Sequence, residues 1–178
     1  DNKVSIFFAQ GGVSEFDQVI FACHSDQALA LLDDASSTEQ EILSAIPYRN
    51  NEVVLHTDTG LLPKAKLAWS SWNYHLGHDQ NVPATLSYNM NILQHLETDT
   101  TYVVTLNKSE LIDPTKVLAS FNYSHPTFTL AGSKAQSRWA EINGVNNTWF
   151  CGAYWRNGFH EDGCWSGARV AEGLGVTW

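Results

Sequence analysis

Residues 148–175 constrain the fold of this 178-residue chain more than any other segment. An apolar run at 148–151 meets a glycine, an irregular loop follows, and small residues then recur at helical spacing from near Asp162. This pattern predicts a strand that feeds the N-terminus of a helix through glycines. Such a turn lets backbone amides reach an anionic or electron-rich ligand. An ordinary strand-to-helix corner is the alternative, and the spacing alone leaves both open.

Glycines divide this segment at four positions: Gly152, Gly158, Gly163 and Gly167. They predict a close backbone approach in the loop and close packing of the helix. One predicted helix face carries small and apolar residues at helical spacing, namely Cys164, Gly167, Ala168, Ala171 and Leu174. We expect this face to lie tightly against a flat surface.

The overall composition is that of a soluble globular protein, with 43% hydrophobic and 16% charged residues. The length suits one domain with a true core or two small lobes. Nineteen acidic against ten basic side chains, net −9, argue against binding to a phosphate backbone. The sequence contains neither an apolar run long enough to span a bilayer nor a signal-peptide pattern. The odd set of three cysteines predicts reduced thiols and a cytoplasmic location.

Local patterns predict a mixed order of strands and helices. We expect a hairpin from residues 4–10 and 16–22 with a second arm buried on both faces, then a helix over 39–45 opened by a capping box at 38–41. Four strands follow at antiparallel spacing, over 53–57, 68–74, 84–90 and 101–106. In 84–90 the alternation predicts a buried face and a polar face. Asp113-Pro114 predicts a short helix to residue 120, and a further helix is expected over 133–142.

The closing segment also resembles the C-terminal flavin-contacting motif of the flavin-containing amine oxidoreductase superfamily. In that motif an apolar strand ends in Phe-x-Gly, and Gly-x-x-x-Gly and Ser-Gly open a helix beneath the isoalloxazine ring. Within the superfamily the chain looks most similar to bacterial proteins loosely named NAD/FAD-binding proteins or flavin-containing amine oxidases. Three further segments carry this likeness: FDQVIFACHSDQA at 16–28, IPYRNNEVVLHTD at 46–58 and WSSWNY at 69–74.

The resemblance implies an α+β fold in which an antiparallel substrate domain is inserted into an α/β-type FAD-binding domain. Residues 1–43 would be part of the FAD-binding domain, 44–130 the substrate domain, and 131–178 the closing FAD-binding strand and helix. No strand in the sequence is followed by GxGxxG, the element that holds the ADP half of FAD. With Asp1 at its start, the chain is therefore expected to be the C-terminal part of a longer flavoprotein, or a processed product, and to be inactive alone.

Carried over by resemblance, the FAD-contacting residues fall in the closing segment: Gly152, Ala153, Gly158, Glu161, Asp162, Gly163 and Ser166. Backbone amides or a helix N-terminus would there face the flavin edge that gains charge on reduction. Two departures stand out. The acidic residue that commonly follows Phe-x-Gly is absent, with Ala153 and Tyr154 in its place. Asp162 stands where the family usually has glycine. Plain structural glycines are the alternative.

Trp72 and Tyr74 are the candidate substrate-binding residues, because they share one face of a predicted strand while Trp69 and His75 share the other. In the family such a sheet lines an apolar pocket over the flavin. A core or surface aromatic ladder is the alternative reading. No residue is identified as the catalytic base.

Several other side chains invite a chemical role with weaker support. His75 with His78, and His160 with Cys151 and Cys164, have spacings that suggest zinc but lack a complete ligand set, so no metal site is predicted. Cys23 follows a strand as a hydrolase nucleophile would, yet without the elbow glycines. Lys64 and Lys66 are expected at the surface.

The leading functional hypothesis is an FAD-dependent, amine oxidase-like oxidoreductase that moves a hydride from an amine or an apolar C–H substrate to flavin. The main alternative is a non-catalytic binding module or relic that keeps the substrate sheet, and hydrolysis through Cys23 is a third. The expected partner is a small-molecule substrate. Self-association is also expected, since a cut cofactor domain exposes apolar surface and strand edges.

Overall fold

The computed structural model describes residues 3–76 and 85–177, a mixture of helices and strands. They fall into two compact units. Unit 1 comprises Asp1–Tyr48 with Pro126–Trp178, and unit 2 comprises Arg49–His125. Across the described residues, no helix has both the length and the apolar character needed to cross a membrane.

The N-terminal part of unit 1 contains three short strands and two helices, and it begins with a hairpin. The strands are β1 (Val4–Phe7), β2 (Val13–Phe16) and β3 (Val19–Phe21), and the helices are α1 (Ser25–Leu31) and α2 (Ser37–Ser44). β1 pairs antiparallel with β2, because Gly11 and Gly12 at φ +90° and +96° turn the chain at once. The predicted second arm, 16–22, is therefore wrong. Part of it becomes β3, whose Ile20 is 47% exposed rather than buried.

The predicted capping box lies two residues earlier than expected. Ser36 caps α2 by accepting the Glu39 N–H at 3.2 Å, and the Glu39 carboxylate accepts the Ser36 N–H at 2.8 Å. The helix consequently begins at Ser37 rather than at residue 39. Ser36 and Thr38 could each cap the helix with a hydroxyl group. The helix starts after Ser36, because Glu39 and Ser36 form the reciprocal pair of hydrogen bonds.

Unit 2 is built on a five-stranded sheet. Its elements are β4 (Tyr48–His56), β5 (Trp72–His75), β6 (Thr85–Asn89), the short helix α3 (Met90–Gln94), β7 (Val103–Leu106) and β8 (Val117–Pro126), arranged in the order β5-β6-β7-β4-β8. The antiparallel pairing of β4, β5, β6 and β7 confirms the strand-rich middle of the chain. The helix predicted after Asp113-Pro114 is wrong. The chain makes one 3-10 turn at Pro114–Lys116 and then extends as β8.

The strand β6 is buried on both of its faces. Its polar residues (Thr85, Ser87 and Asn89) are at most 6% exposed, and on the opposite face Leu86 is 6% exposed and Tyr88 is half-buried. The strand predicted over 84–90 is present as β6, although residue 84 lies outside the described residues, but burial does not alternate along it. The assignment of the polar face to the outside is wrong. Cross-strand hydrogen bonds satisfy the buried hydroxyl groups, which makes their burial tolerable.

The chain then returns to unit 1, where it forms α4 (Leu130–Ser137), β9 (Thr148–Phe150) and α5 (His160–Gly173), with 3-10 turns at Trp139–Glu141 and Ala153–Trp155. The helix predicted over 133–142 is in fact α4 followed by the first of these turns. The core of unit 1 joins both parts of the unit: Ala28, Ile42, Leu43, Ile46, Ala135, Ile142, Phe150, Tyr154 and Trp155.

Candidate functional site

The candidate site lies where two parallel strands end beside the start of a helix. β3 pairs in parallel with β9, with Phe21 opposite Phe150 and their rings stacked at 5.4 Å. The Cys151 N–H extends the ladder by donating to the Phe21 carbonyl at 2.9 Å. Both strands point their carboxyl ends the same way, and the turn after β9 leads to α5. Ligands of open α/β sheets commonly bind at this edge.

Gly152 and Ser166 form a clamp that joins the turn to the helix. The Gly152 N–H donates to Ser166 Oγ at 2.8 Å. The Ser166 hydroxyl has two carbonyl acceptors in reach, Gly152 O at 3.1 Å and Gly163 O at 2.9 Å. Ser166 is fully buried. These two candidate FAD contacts therefore position the turn, and both groups are already engaged within the protein.

Tyr154 occupies the space beside Gly152. A Cβ built on Gly152 would lie 2.5 and 2.7 Å from two ring carbons of Tyr154, which is only 3% exposed. Burial, together with the nearby Tyr48, Cys151 and Cys23, raises the pKa of the Tyr154 hydroxyl. Among the described residues, neither Tyr154 Oη nor Trp155 Nε1 has a hydrogen-bond partner of regular geometry, although the Trp155 side chain lies close enough to the Tyr154 hydroxyl to lower its pKa slightly. Buried donors without an acceptor are rare in folded proteins and call for a ligand or water.

The start of α5 is capped from within by Asp162. The Asp162 carboxylate accepts the Phe159 N–H at 3.0 Å, and Arg156 Nε lies 3.7 Å from its other oxygen. Asp162 is 5% exposed, so this carboxylate belongs to the helix terminus. The Asp162 and Gly163 amides donate to the Phe159 carbonyl. Within the described part of the chain, the His160 and Glu161 amides meet no acceptor, as expected for a first helical turn.

The packed face of α5 differs from the predicted one. Asp162, Ser166 and Val170 are buried, while Cys164 and Leu174 are exposed and a Cβ on Gly167 would meet no atom within 4 Å. The small-residue face is therefore not the face that packs most closely within unit 1, although Gly167, Ala168 and Ala171 on it are half-buried, and its contact with a flat surface stays a prediction. The bonds of Ser166 to Gly152 and Gly163 turn a different face toward the strands. The recurrence of Gly163, Ser166, Val170 and Gly173 could have revealed this face, and sequence reasoning missed it.

Arginine and tryptophan side chains stack along the outer side of this corner. Arg156 lies 4.6 Å from the ring centre of Trp165, Arg169 lies 5.0 Å from the same ring, and Arg169 lies 4.1 Å from Trp139. Trp139 Nε1 donates to the Phe150 carbonyl at 3.2 Å. Each cation–π contact contributes on the order of 0.5–1 kcal/mol at such a surface. Together they tie α5 to the loop before it and to β9.

The candidate substrate residues Trp72 and Tyr74 lie on one face of β5, the apolar face of the sheet in unit 2. Trp72 also packs edge-on against Tyr88 of β6 at 5.2 Å. Trp72 is 40% and Tyr74 59% exposed, so the aromatic groups form an accessible surface. Trp69, predicted on the same strand, precedes β5 and donates its indole N–H to the Pro63 carbonyl at 2.7 Å.

The weaker candidates from the sequence do not assemble into sites. Burial raises the pKa of the Cys23 thiol and of the Cys151 thiol, which disfavours a thiolate nucleophile. No group of three or more metal-ligating side chains is found among the described residues. His78 lies outside these residues. Lys64 and Lys66 are exposed.

No protein-family profile and no curated protein sequence matches the chain. Solved structures match it by fold. The CLA-producing fatty acid isomerase from P. acnes has a TM-score of 0.62 at 14% identity over 99% of this chain. A reduced UDP-galactopyranose mutase has a TM-score of 0.61 at 15% identity over 97% of it. The chain spans just under half of each, 45% of their length.

At these identities the likeness establishes the fold alone, and that fold is a flavoprotein fold. The comparison thus supports the flavoprotein fold that the sequence resemblance implied, and nothing finer. Membership of the amine oxidase group stays a prediction.

Proposed function

We propose that this chain supplies the strand–turn–helix part of a flavin site in an FAD-dependent, amine oxidase-like oxidoreductase. The observation that carries the proposal is the convergence of the carboxyl ends of β3 and β9 with the N-terminus of α5. The flavoprotein fold supports it. FAD would accept a hydride from an amine or an apolar C–H bond, and that chemistry belongs to the cofactor.

The residues at this corner fit an electron-rich ring system. The His160 and Glu161 amides are unused donors at the positive end of a helix, where negative charge is stabilised. The buried Tyr154 hydroxyl would offer one further donor. Gly152, Gly163 and Ser166 would hold the turn in place, and Ala153, Gly158 and Asp162 would set the path and the cap of the loop. These residues would orient the ring and exclude water.

The aromatic face of unit 2 is the proposed substrate surface. Trp72 and Tyr74 present large, partly exposed rings, and Leu86 and Val104 lie on the same face by strand pairing. An apolar or aromatic small molecule would be bound there by burial of apolar area, which contributes about 25 cal/mol per Å². The catalytic residues remain to be identified.

A non-catalytic binding module is the second candidate function, and two observations favour it. The Tyr154 ring fills the space beside Gly152, and the Asp162 carboxylate places negative charge at the start of α5. That charge opposes the charge that a flavin gains on reduction. Anaerobic reduction of the bound flavin by an amine would support the oxidoreductase. Binding of an apolar ligand to unit 2 without flavin would support the module.

The ADP half of FAD would need a strand–GxGxxG–helix unit that this sequence lacks. We therefore propose that the chain acts as the C-terminal part of a longer flavoprotein. Alone, it is expected to bind FAD weakly because a large share of the contacts is missing. Tight stoichiometric binding would contradict this expectation.

Replacing His160 by proline is expected to weaken FAD binding about three- to tenfold, the effect of one lost hydrogen bond. Proline removes the His160 amide donor yet suits the first helical position, because Phe159 before it is extended at φ −88° and ψ 164°. Amide chemical-shift changes at residues 152–153 and 161–163 during FAD titration would measure the affinity.

His160→Ala is the matched control, because it removes the same imidazole and keeps the amide. It should bind FAD as the unmodified chain does, and both variants should unfold at similar denaturant concentrations. Equal affinity of the proline and alanine variants, or shifts located elsewhere in the chain, would exclude the α5 N-terminus as the flavin contact.

We also propose that the chain associates with itself through unit 1. Apolar side chains are exposed on the β1–β2 hairpin and on β3, namely Phe7, Val13, Phe16 and Ile20. Within the described residues, β3 pairs only with β9, which leaves a strand edge open.

Ile20→Lys should lower the mass measured by light scattering at high protein concentration. Gln10→Lys, at an exposed polar position in the hairpin turn, is the control, and a mass that Ile20→Lys leaves unchanged would contradict this interface.

A further inference from the structure

A chain of four polar side chains crosses the buried face of the sheet in unit 2. His56 Nε2 lies 2.8 Å from Thr105 Oγ1, Thr105 Oγ1 lies 2.8 Å from Ser87 Oγ, and Ser87 Oγ lies 3.0 Å from His75 Nε2. These residues sit on β4, β7, β6 and β5, so the chain links four adjacent strands. His56, Thr105 and Ser87 are fully buried, and His75 is half-buried at the edge strand.

The direction of this chain follows from one backbone donor. The Asp58 N–H donates to His56 Nδ1 at 3.1 Å, so neutral His56 must carry its proton on Nε2. His56 then donates to Thr105, Thr105 donates to Ser87, and Ser87 donates to His75 Nε2. Both hydroxyl groups and both ring nitrogens of His56 are satisfied in this order. The reverse order would bring a His56 Nδ1–H against the Asp58 N–H.

Proton uptake by His75 is incompatible with this order. Protonated His75 donates from Nε2 to Ser87, so the Ser87 hydrogen loses its acceptor. If that hydrogen turns to Thr105 Oγ1, it displaces the Thr105 hydrogen, and if it does not, it stays without a partner. In both cases one fully buried hydroxyl hydrogen of Ser87 or Thr105 has no acceptor within this set of four side chains. A buried donor without an acceptor favours opening of the structure to water.

We propose that the chain His56–Thr105–Ser87–His75 is a pH-sensitive lock on the sheet of unit 2, closed while His75 is neutral and released at the β5–β6 edge when His75 takes up a proton. The device is independent of the flavin site, since every member lies in unit 2.

The charges around both imidazoles support the direction of the switch. Burial and then the Lys108 ammonium lower the pKa of His75, and Lys108 lies 3.4 Å from Glu110. Burial also lowers the pKa of His56, although the Asp58 carboxylate opposes this. Lys116 lies 3.3 Å from that carboxylate and moderates its effect. An opened state has an ordinary histidine pKa of about 6.5, so it takes up the proton first as the pH falls.

Native-state hydrogen exchange of the full chain tests the lock. After correction for intrinsic exchange chemistry, opening of the β5 and β6 amides should rise as the pH falls below about 6.5, with a limit of about tenfold per pH unit for each histidine whose pKa the closed sheet lowers. His75→Gln keeps an acceptor for the Ser87 hydroxyl and cannot titrate in this range. The rise in amide opening per pH unit should therefore be up to tenfold smaller in this variant, because one proton fewer is taken up on opening. An unchanged dependence in His75→Gln would overturn the proposal.

Imidazole nitrogen resonances give a second readout that needs no loss of stability. At pH 7.5 the unmodified protein should show the Nε2–H form of His56 and the Nδ1–H form of His75. The opposite forms would contradict the proposed order of hydrogen bonds. Ser87→Ala should move the pKa of His75 toward its ordinary value, because protonation then breaks no hydrogen bond. Thr85→Val, beside His75 on the same face, is the control and should leave that pKa in place.

Discussion

Replacing Gly152 by alanine is expected to destabilise unit 1 by about 2–3 kcal/mol, the upper part of the range for overpacking a filled core position. The new methyl group would lie 2.5 and 2.7 Å from ring carbons of Tyr154, closer than carbon atoms can approach. Tyr154 is 3% exposed and belongs to the core with Trp155 and Phe150, so its ring has no free direction in which to move. Urea unfolding followed by tryptophan fluorescence would measure the loss, since unit 1 holds most of the tryptophans.

Gly163→Ala is the matched control for this experiment. Its methyl group would lie 3.8 and 3.9 Å from Ala153 atoms, which is ordinary contact, and alanine favours a helix over glycine by about 0.5–1 kcal/mol. We expect Gly163→Ala to be neutral or slightly stabilising. If Gly152→Ala unfolded at the same urea concentration as Gly163→Ala, Gly152 would not be needed for the packing of Tyr154.

The second large effect is expected at Gly173, where alanine should cost about 1–3 kcal/mol although it is the better helix former. A Cβ at Gly173 would lie 2.5 Å from two ring carbons of Trp149. The Trp149 ring cannot retreat, because Gly144 lies against it from another side, where a Cβ built on Gly144 would be only 2.9 Å from the ring. Its indole N–H is also held by Gln18 Oε1 at 2.8 Å.

Gly167→Ala, on another face of α5, should change the free energy of unfolding in the opposite direction. Its methyl group would meet no atom within 4 Å, so only the helix propensity changes, and stabilisation of about 0.5–1 kcal/mol is expected. The midpoint temperatures of thermal unfolding of Gly173→Ala and Gly167→Ala would compare the effect of one added methyl group at two positions of α5. Stabilisation by Gly173→Ala would show that Trp149 does not pack on the end of this helix.

The strand-to-helix corner was predictable because its evidence is local. An apolar run, a glycine and small residues at helical spacing follow each other directly in the sequence. The structure has β9, the turn and α5 at the positions that these features predict. The antiparallel strands of unit 2 were predictable for the same reason. Local patterns gave a wrong prediction where the same residues could form either a helix or a strand. Asp113-Pro114 starts a single turn, because the residues after it pair with a strand far away in sequence.

The candidate cofactor residues were found by resemblance, and the structure shows what several of them contact. Gly152 and Ser166 bond to each other, and Asp162 caps its own helix. Sequence reasoning could not separate a ligand contact from an internal clamp, because both use glycine, serine and a helix terminus. The unused amides of His160 and Glu161 became candidates only once the cap was visible.

By itself, the sequence determined the presence of the strand–turn–helix corner and of the antiparallel block, since both depend on neighbouring residues and their periodicity. Tertiary structure alone decided the parallel pairing of β3 with β9, the buried face of α5 and the burial of the polar face that carries the His56–His75 chain. The physical reason is that periodicity shows that an element has two faces. Which face is buried depends on partners distant in the chain, and at β6 and α5 hydrogen bonds outweighed apolar character.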